Sequence, residues 1–280
     1  LNNSLLSKIK INPLFWFVLG MGIITGYFRE VIMVFLIVFI HEMGHVFAAK
    51  WFKWRISKVE LLPFGGVAEM NESSNRPFHE ELIVIISGPA QHLWMIGASF
   101  LLVQTPIWST ADHQLFVWHN LMILGFNLLP IWPLDGGRIL HLACTYKLPY
   151  KQGQKLTLLL SITGIIIIGL ISLKLFPFHL NLWVVLTFLC IANYLEWKQR
   201  HYVFMRFLLE RFYLQERHLR HHSIKVHQHM KVRQVLDQFR RGHQHIITID
   251  RNHCITEKML LDAYFNQRAI DRQLKEVFIS

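Results

Sequence analysis

Six apolar stretches, each close to the ~20 residues that a helix needs to cross the hydrocarbon core of a bilayer, constrain this chain most. They lie at about 12–28, 31–50, 81–104, 115–132, 156–174 and 180–196. The first two are separated only by residues 27–30, which predicts a tight helical hairpin. Charged residues make up 17% of the chain, against about 25% for soluble domains, and the mean hydropathy is positive at +0.31. A disordered chain is excluded, and the balance argues against a single soluble domain. Cys144, Cys190 and Cys254 are far apart and form no CxxC pair, which argues against a disulfide framework and a cysteine zinc site.

Charge divides the chain near residue 196. Residues 196–280 carry 16 Lys+Arg and 9 Asp+Glu, so +7 of the net +11 lies in the last third. We read three segments: a transmembrane domain at 1–196, an amphipathic basic linker at 197–222 suited to an anionic membrane surface, and a small C-terminal domain at 223–280. With the N-terminus cytoplasmic, eleven Lys/Arg flank the spans on the inner side and only Arg29 and Lys174 on the outer. Both termini are therefore expected inside.

The second stretch runs through ten apolar or near-apolar positions into His41-Glu42-Met43-Gly44-His45. Histidines four apart share one helix face and can bind one metal ion, and a glutamate beside the first can serve as general base on a metal-activated water. The pattern would arise by chance in about 4% of chains of this composition. Ionisable groups inside a span cost at least ~2.5 kcal/mol each, so three together need compensation. A bound cation provides it; histidines satisfied by neighbouring helices are the plainer alternative.

A catalytic zinc site wants a third protein ligand. Asp135, in Asn127-Leu128-Leu129-Pro130-Ile131-Trp132-Pro133-Leu134-Asp135-Gly136, fits: the second and fourth stretches run in the same direction, so His41, His45 and Asp135 all lie toward the cytoplasmic half. An ordinary Asp-Gly turn is the alternative. The two prolines break the helix, which a bilayer tolerates only where protein or a watery cavity meets that backbone.

Together these motifs resemble the site-2 protease class of intramembrane zinc metalloproteases, and within it the sporulation branch that processes pro-sigma-K, a sigma factor precursor. Leu61-Leu62-Pro63-Phe64-Gly65-Gly66, Ser87-Gly88-Pro89 and Arg206-Phe207-Leu208-Leu209-Glu210-Arg211 extend the likeness over the whole chain. The resemblance implies Zn2+ held by His41, His45 and Asp135, with Glu42 as catalytic acid and base. It also implies substrate contacts at Asn127 and Pro133, membrane-bound inhibitory partner proteins, and a mother-cell membrane location around the forespore. Nucleic acid is not an expected partner. A metal transporter or nucleotide-sensing receptor would use the same histidines but has no need of Glu42.

Residues 59–70 read as a turn at Pro63-Phe64-Gly65-Gly66 between two extended pieces. This is either a surface hairpin or a loop whose strand edge holds substrate extended, with Phe64, Gly65 and Gly66 in contact. His92, His119 and His141 have no partner at i+3 or i+4 and read as packing histidines. Beyond residue 223 the order is a strand, a helix at 232–241, a strand at 246–250 and a helix from Glu257. This β-α-β-α order is similar to a single CBS domain, which implies ATP binding and homo-oligomerisation; a purely structural dimerisation role stays open. The expected fold is an α-helical polytopic membrane protein of about six transmembrane helices with a small C-terminal α/β CBS-like domain.

Overall fold

The computed structural model describes residues 20, 22–54, 75–175, 178, 180–213, 221–250 and 253–279 in full, and the backbone alone at 9–11, 56–62, 65–70 and 220. The stretch at 12–28 lies largely outside the described residues. Two compact units emerge, one of residues 1–72, 79–130 and 134–136, the other of 73–78, 131–133 and 137–280.

The first unit begins with strand β1 (Ile9–Ile11) and helix α1 (Phe28–Trp51). Gly26, at φ 80, turns the chain into α1, and Lys53, at φ 57, ends the turn that follows it. Glu30 in the first turn and Lys50 in the last complement the helix dipole. Met33, Ile37, His41, His45 and Ala49 are all buried at a spacing of four, while Ile32, Leu36, Phe47 and Trp51 are exposed. The motif histidines therefore occupy the protein-facing stripe of a helix whose other side is greasy.

Strands β2 (Ile56–Leu62) and β3 (Gly65–Met70) form an antiparallel hairpin with Leu62 opposite Gly65. The expected hairpin is present; Pro63 and Phe64, which join its strands, are outside the described residues. β1 pairs in parallel with β2, giving the order β1-β2-β3, and the backbone of β3 runs beside α1.

Helix α2 (Phe78–Leu102) contains Pro89 and buries Val84, Gly88, His92, Met95 and Ser99 along one face. Helix α3 (Thr110–Asn127) starts at a reciprocal cap: Ser109 accepts from the Asp112 amide, and Asp112 accepts from the Ser109 amide. This helix, which contains Asp112, His113, Gln114, His119 and Asn120, is more polar than α1 and α2.

In the second unit come α4 (Asp135–Lys147), whose first residues belong to the first unit, α5 (Tyr150–Leu175) and α6 (Leu180–Tyr213). Among the described residues, four helices, α1, α2, α5 and α6, are long and apolar enough to cross a membrane. Helix α6 continues without a break past residue 196, so the stretch at 197–222 is helical through Tyr213. Its Phe204, Phe207 and Leu208 are buried in the core of the C-terminal domain. Burying three large apolar side chains at about 1.5–3 kcal/mol each favours that core over a membrane surface.

The domain itself comprises β4 (Arg220–Val226), α7 (Val232–Leu236), β5 (His243–Ile249), β6 (His253–Thr256), α8 (Glu257–Phe265) and α9 (Leu274–Phe278). β4 and β5 are parallel, and β6 is antiparallel to β5. Helix α7 ends at Leu236 rather than 241, because the chain turns to bury Phe239 and passes Gly242 at φ 69. Tyr150 stacks on Phe207 with ring centroids 4.2 Å apart, and its amide donates to the Phe239 carbonyl at 2.9 Å.

Candidate metal centre

His41 and His45 lie one turn apart on α1, and Asp135 is the first residue of α4. The two Nε2 atoms are 3.2 Å apart, and Asp135 Oδ2 lies 3.1 Å from that of His41 and 3.3 Å from that of His45. All three residues are at most 5% exposed. Among the described residues, this is the one group of three His, Cys, Asp or Glu side chains close enough to share a metal ion.

Whether a zinc ion suits these residues depends on where their protons are. His45 Nδ1 donates to the Val84 carbonyl at 2.8 Å, which leaves its Nε2 a bare lone pair. Asp135 Oδ2 is buried and has no hydrogen-bond partner. A lone pair facing an unpaired carboxylate oxygen at 3.3 Å repels it unless a cation lies among them. Tetrahedral zinc with ligand bonds of 2.0–2.1 Å would separate neighbouring ligand atoms by about 3.3 Å. Donor types, burial and spacing all fit.

Two glycines permit this approach. A methyl group on Gly88 of α2 would collide with the His45 ring and lie 2.9 Å from His41 Nε2. One on Gly136 would strike the carbonyl oxygens of Leu128 and Leu129, so the turn into α4 closes only with glycine. Just upstream, the Trp132 amide donates to Ser161 Oγ at 2.9 Å, and Asn193 Nδ2 donates to the Trp132 carbonyl at 2.6 Å. Both backbone groups freed by Pro130 and Pro133 at that residue are thereby satisfied.

The other expected site residues are more dispersed. Glu42 is half-buried between the histidines in sequence. Asn127, the last residue of α3, donates its amide to the Ile123 carbonyl at 3.0 Å. Pro133 follows a cis peptide bond. Gly65 and Gly66 open strand β3, and Phe64 lies outside the described residues.

His92, read from sequence as a packing residue and not a ligand, is buried and lies outside the metal group, but it also backs His41: its Nε2 lies 3.0 Å from His41 Nδ1. A search for partners on the same helix misses it, because the contact joins α1 to α2. His141 does pack, edge-on to Trp132 and Tyr150.

Two histidines and a carboxylate enclosed by apolar helices, with a glutamate next to the first histidine, define a membrane metallopeptidase. The chain belongs to peptidase family M50, which residues 30–108 and 107–169 match. Over 281 residues it is 38% identical to the stage IV sporulation protein FB of Bacillus subtilis, covering 99% of this chain and 98% of that one. It is 35% identical over 158 residues to the zinc metalloprotease MJ0392 of Methanocaldococcus jannaschii, covering 53% of this chain and 41% of that one. The solved site-2 protease from Methanocaldococcus jannaschii shares its fold, with a TM-score of 0.53 and 29% identity over 68% of this chain and 91% of that chain. The protein is an intramembrane zinc metalloprotease, and membership in a peptidase family decides against the transporter alternative.

Proposed function

We propose that His41, His45 and Asp135 hold the zinc ion, that Glu42 is the catalytic acid and base, and that the substrate is the membrane-associated pro-segment of a sporulation sigma factor precursor, pro-sigma-K. The observation that carries the ligand set is the convergence of two imidazole nitrogens and an unpartnered carboxylate oxygen within 3.1–3.3 Å in an apolar surround. Zinc held there would supply Lewis acidity for activating a water at neutral pH. Glu42 accepts a proton from the attacking water and returns it to the departing amine, so one carboxylate serves both proton transfers.

Similarity to the stage IV sporulation protein over nearly the full length supports the substrate class and the mother-cell location. A peptide bond within a helix is shielded from a nucleophile, so the substrate must be extended at the cut. The outer edge of β3, which carries Gly65 and Gly66 and runs beside α1, offers backbone groups for an added strand. Phe64, Asn127 and Pro133 complete this binding reading. We further assign six spans with both termini cytoplasmic, on the Lys/Arg bias, and segments at 1–196, 197–222 and 223–280, the middle one a helical connection that packs Phe204, Phe207 and Leu208 into the last. The C-terminal domain is assigned as CBS-like, with ATP binding and self-association as its roles; control by membrane-bound inhibitory proteins follows from the same likeness.

Co-expression of this chain, wild type and Glu42→Gln, with the sigma factor precursor tests the assignment. Loss of the pro-segment with wild type alone is the expected result. Cleavage by the Glu42→Gln variant at the wild-type rate overturns the role of Glu42.

A further inference from the structure

Behind His41, away from Asp135, a chain of hydrogen bonds crosses three helices. Asn120 of α3 donates its Nδ2 to the Phe116 carbonyl at 2.9 Å, so its amide is oriented with Oδ1 toward His92. That oxygen can only accept, and it lies 3.0 Å from His92 Nδ1. His92 therefore carries its proton on Nδ1 and presents a lone pair at Nε2. His41 Nδ1, 3.0 Å away, must donate to it. His41 Nε2 is then a lone pair directed at Asp135 and His45. Both His92 and Asn120 are fully buried, at 0% exposure, so no solvent proton competes with this order.

We propose that His92 and Asn120 are positioning residues for the metal: starting from one backbone carbonyl, they fix the tautomer and ring orientation of His41, as the Val84 carbonyl does directly for His45. The ligand assignment made above is presupposed. The two ligands thus differ in how they are held. His45 is set by α2 backbone that any sequence would provide, whereas His41 depends on two side chains. Acceptors placed behind a ligating imidazole typically change metal affinity by about 10- to 100-fold.

The test uses the full chain in detergent or nanodiscs, loaded with Zn2+ alone and titrated with a chelator, then loaded with Co2+ alone for its visible spectrum. His92→Phe keeps a buried ring but removes the acceptor, and it is expected to weaken zinc retention by about 10- to 100-fold and to alter the Co2+ bands. His92→Gln, which keeps an acceptor, should recover part of the loss, and Asn120→Leu should fall between wild type and His92→Phe. Zinc retention within twofold of wild type in both His92→Phe and Asn120→Leu, with unchanged Co2+ bands, overturns the proposal. His41→Ala runs alongside: if it retains zinc, the ligand assignment itself has failed, not the relay alone.

A readout on wild type covers the case in which a buried substitution prevents folding. In the zinc-loaded chain labelled with 15N-histidine, the His41–His92 hydrogen bond should give nitrogen–nitrogen coupling across an N–H···N link, with the proton on His41 Nδ1. A His41 proton on Nε2, or no such coupling, overturns the relay.

Discussion

Two buried clusters in this molecule are built from nearly the same parts and resolve their charge in opposite ways. In the helical unit, Asp135 faces His41 and His45, and its Oδ2 has no donor. In the C-terminal unit, Glu257 faces His245 and Arg211. Its Oε2 accepts from the His245 amide at 2.8 Å, from His245 Nδ1 at 3.0 Å and from Arg211 Nη2 at 3.0 Å, and Arg211 Nε donates to Oε1. The second cluster also closes on itself further out: His245 Nε2 accepts from the Arg240 amide, and Arg211 donates to the Arg240 and His243 carbonyls. Every polar atom there has protein as its partner. A buried histidine and carboxylate thus do not by themselves mark a metal site; a carboxylate oxygen facing lone pairs instead of donors does.

The largest effect that would sharpen this contrast belongs to Glu42. Replacing it with Gln removes the proposed proton acceptor without touching the three proposed ligands, so cleavage should fall by about 10²–10⁴-fold or more while zinc per chain is unchanged. Activity with a gel and metal content by elemental analysis are read on the same preparation. Next is Asp135→Asn, which removes the negative charge that, on the proposed ligand set, offsets the divalent cation. Zinc per purified chain should drop well below one. A variant that still holds a full equivalent would break the distinction between the clusters.

The elements that were readable from sequence are those with a local signature. Histidines four apart on an apolar helix announce a shared face, and the buried stripe from Met33 to Ala49 is what that spacing dictates. The hairpin at β2 and β3 was visible in its glycines, and strand β5 in the run of β-branched residues at 246–249. Apart from the meeting of Asp135 with His41 and His45, contacts across helices were not visible. Nothing near His92 in the chain points to α1, and Asn120, a polar residue inside the apolar stretch at 115–132, was a hint only of some buried partner. Strand β6 was missed because His253–Thr256 is only four residues long with little apolar alternation. The helical spacing of 197–222 was legible in its interleaved Phe and Leu, but its burial was not: Arg206, Glu210 and Arg211 look like a solvated surface until Arg211 is seen paired inside the domain.

That pairing yields the next prediction. Arg211→Met leaves the Glu257 carboxylate buried without its cation, a change that costs about 3–5 kcal/mol in comparable buried pairs. Thermal denaturation of the full chain should show the loss in the C-terminal domain, with zinc per chain unaltered. Adding Glu257→Gln to the same chain should restore part of it, because the uncompensated charge is gone. No recovery in the double variant would mean that Arg211 acts through its hydrogen bonds to the Arg240 and His243 carbonyls instead.

Acid provides the gentlest probe. Burial alone would raise the pKa of Glu257, but hydrogen bonds from His245 and Arg211 and the charge of Arg211 outweigh it and hold the group down to about 2. Burial pushes His245 below its ordinary value of 6.5, against the pull of Glu257. In both cases the unfolded chain binds protons more readily than the folded one, so stability rises with pH across each window. The His245 contribution is complete above about pH 6.5 and fades as the pH falls below it; that of Glu257 is complete above about pH 4.5 and is lost toward pH 2. Melting of the zinc-loaded chain between pH 7 and pH 3 should therefore show an early, shallow loss followed by a steeper one. In Glu257→Gln the steeper phase should shrink, since no carboxylate remains there to protonate; an unchanged profile in that variant would place the acid-sensitive group elsewhere.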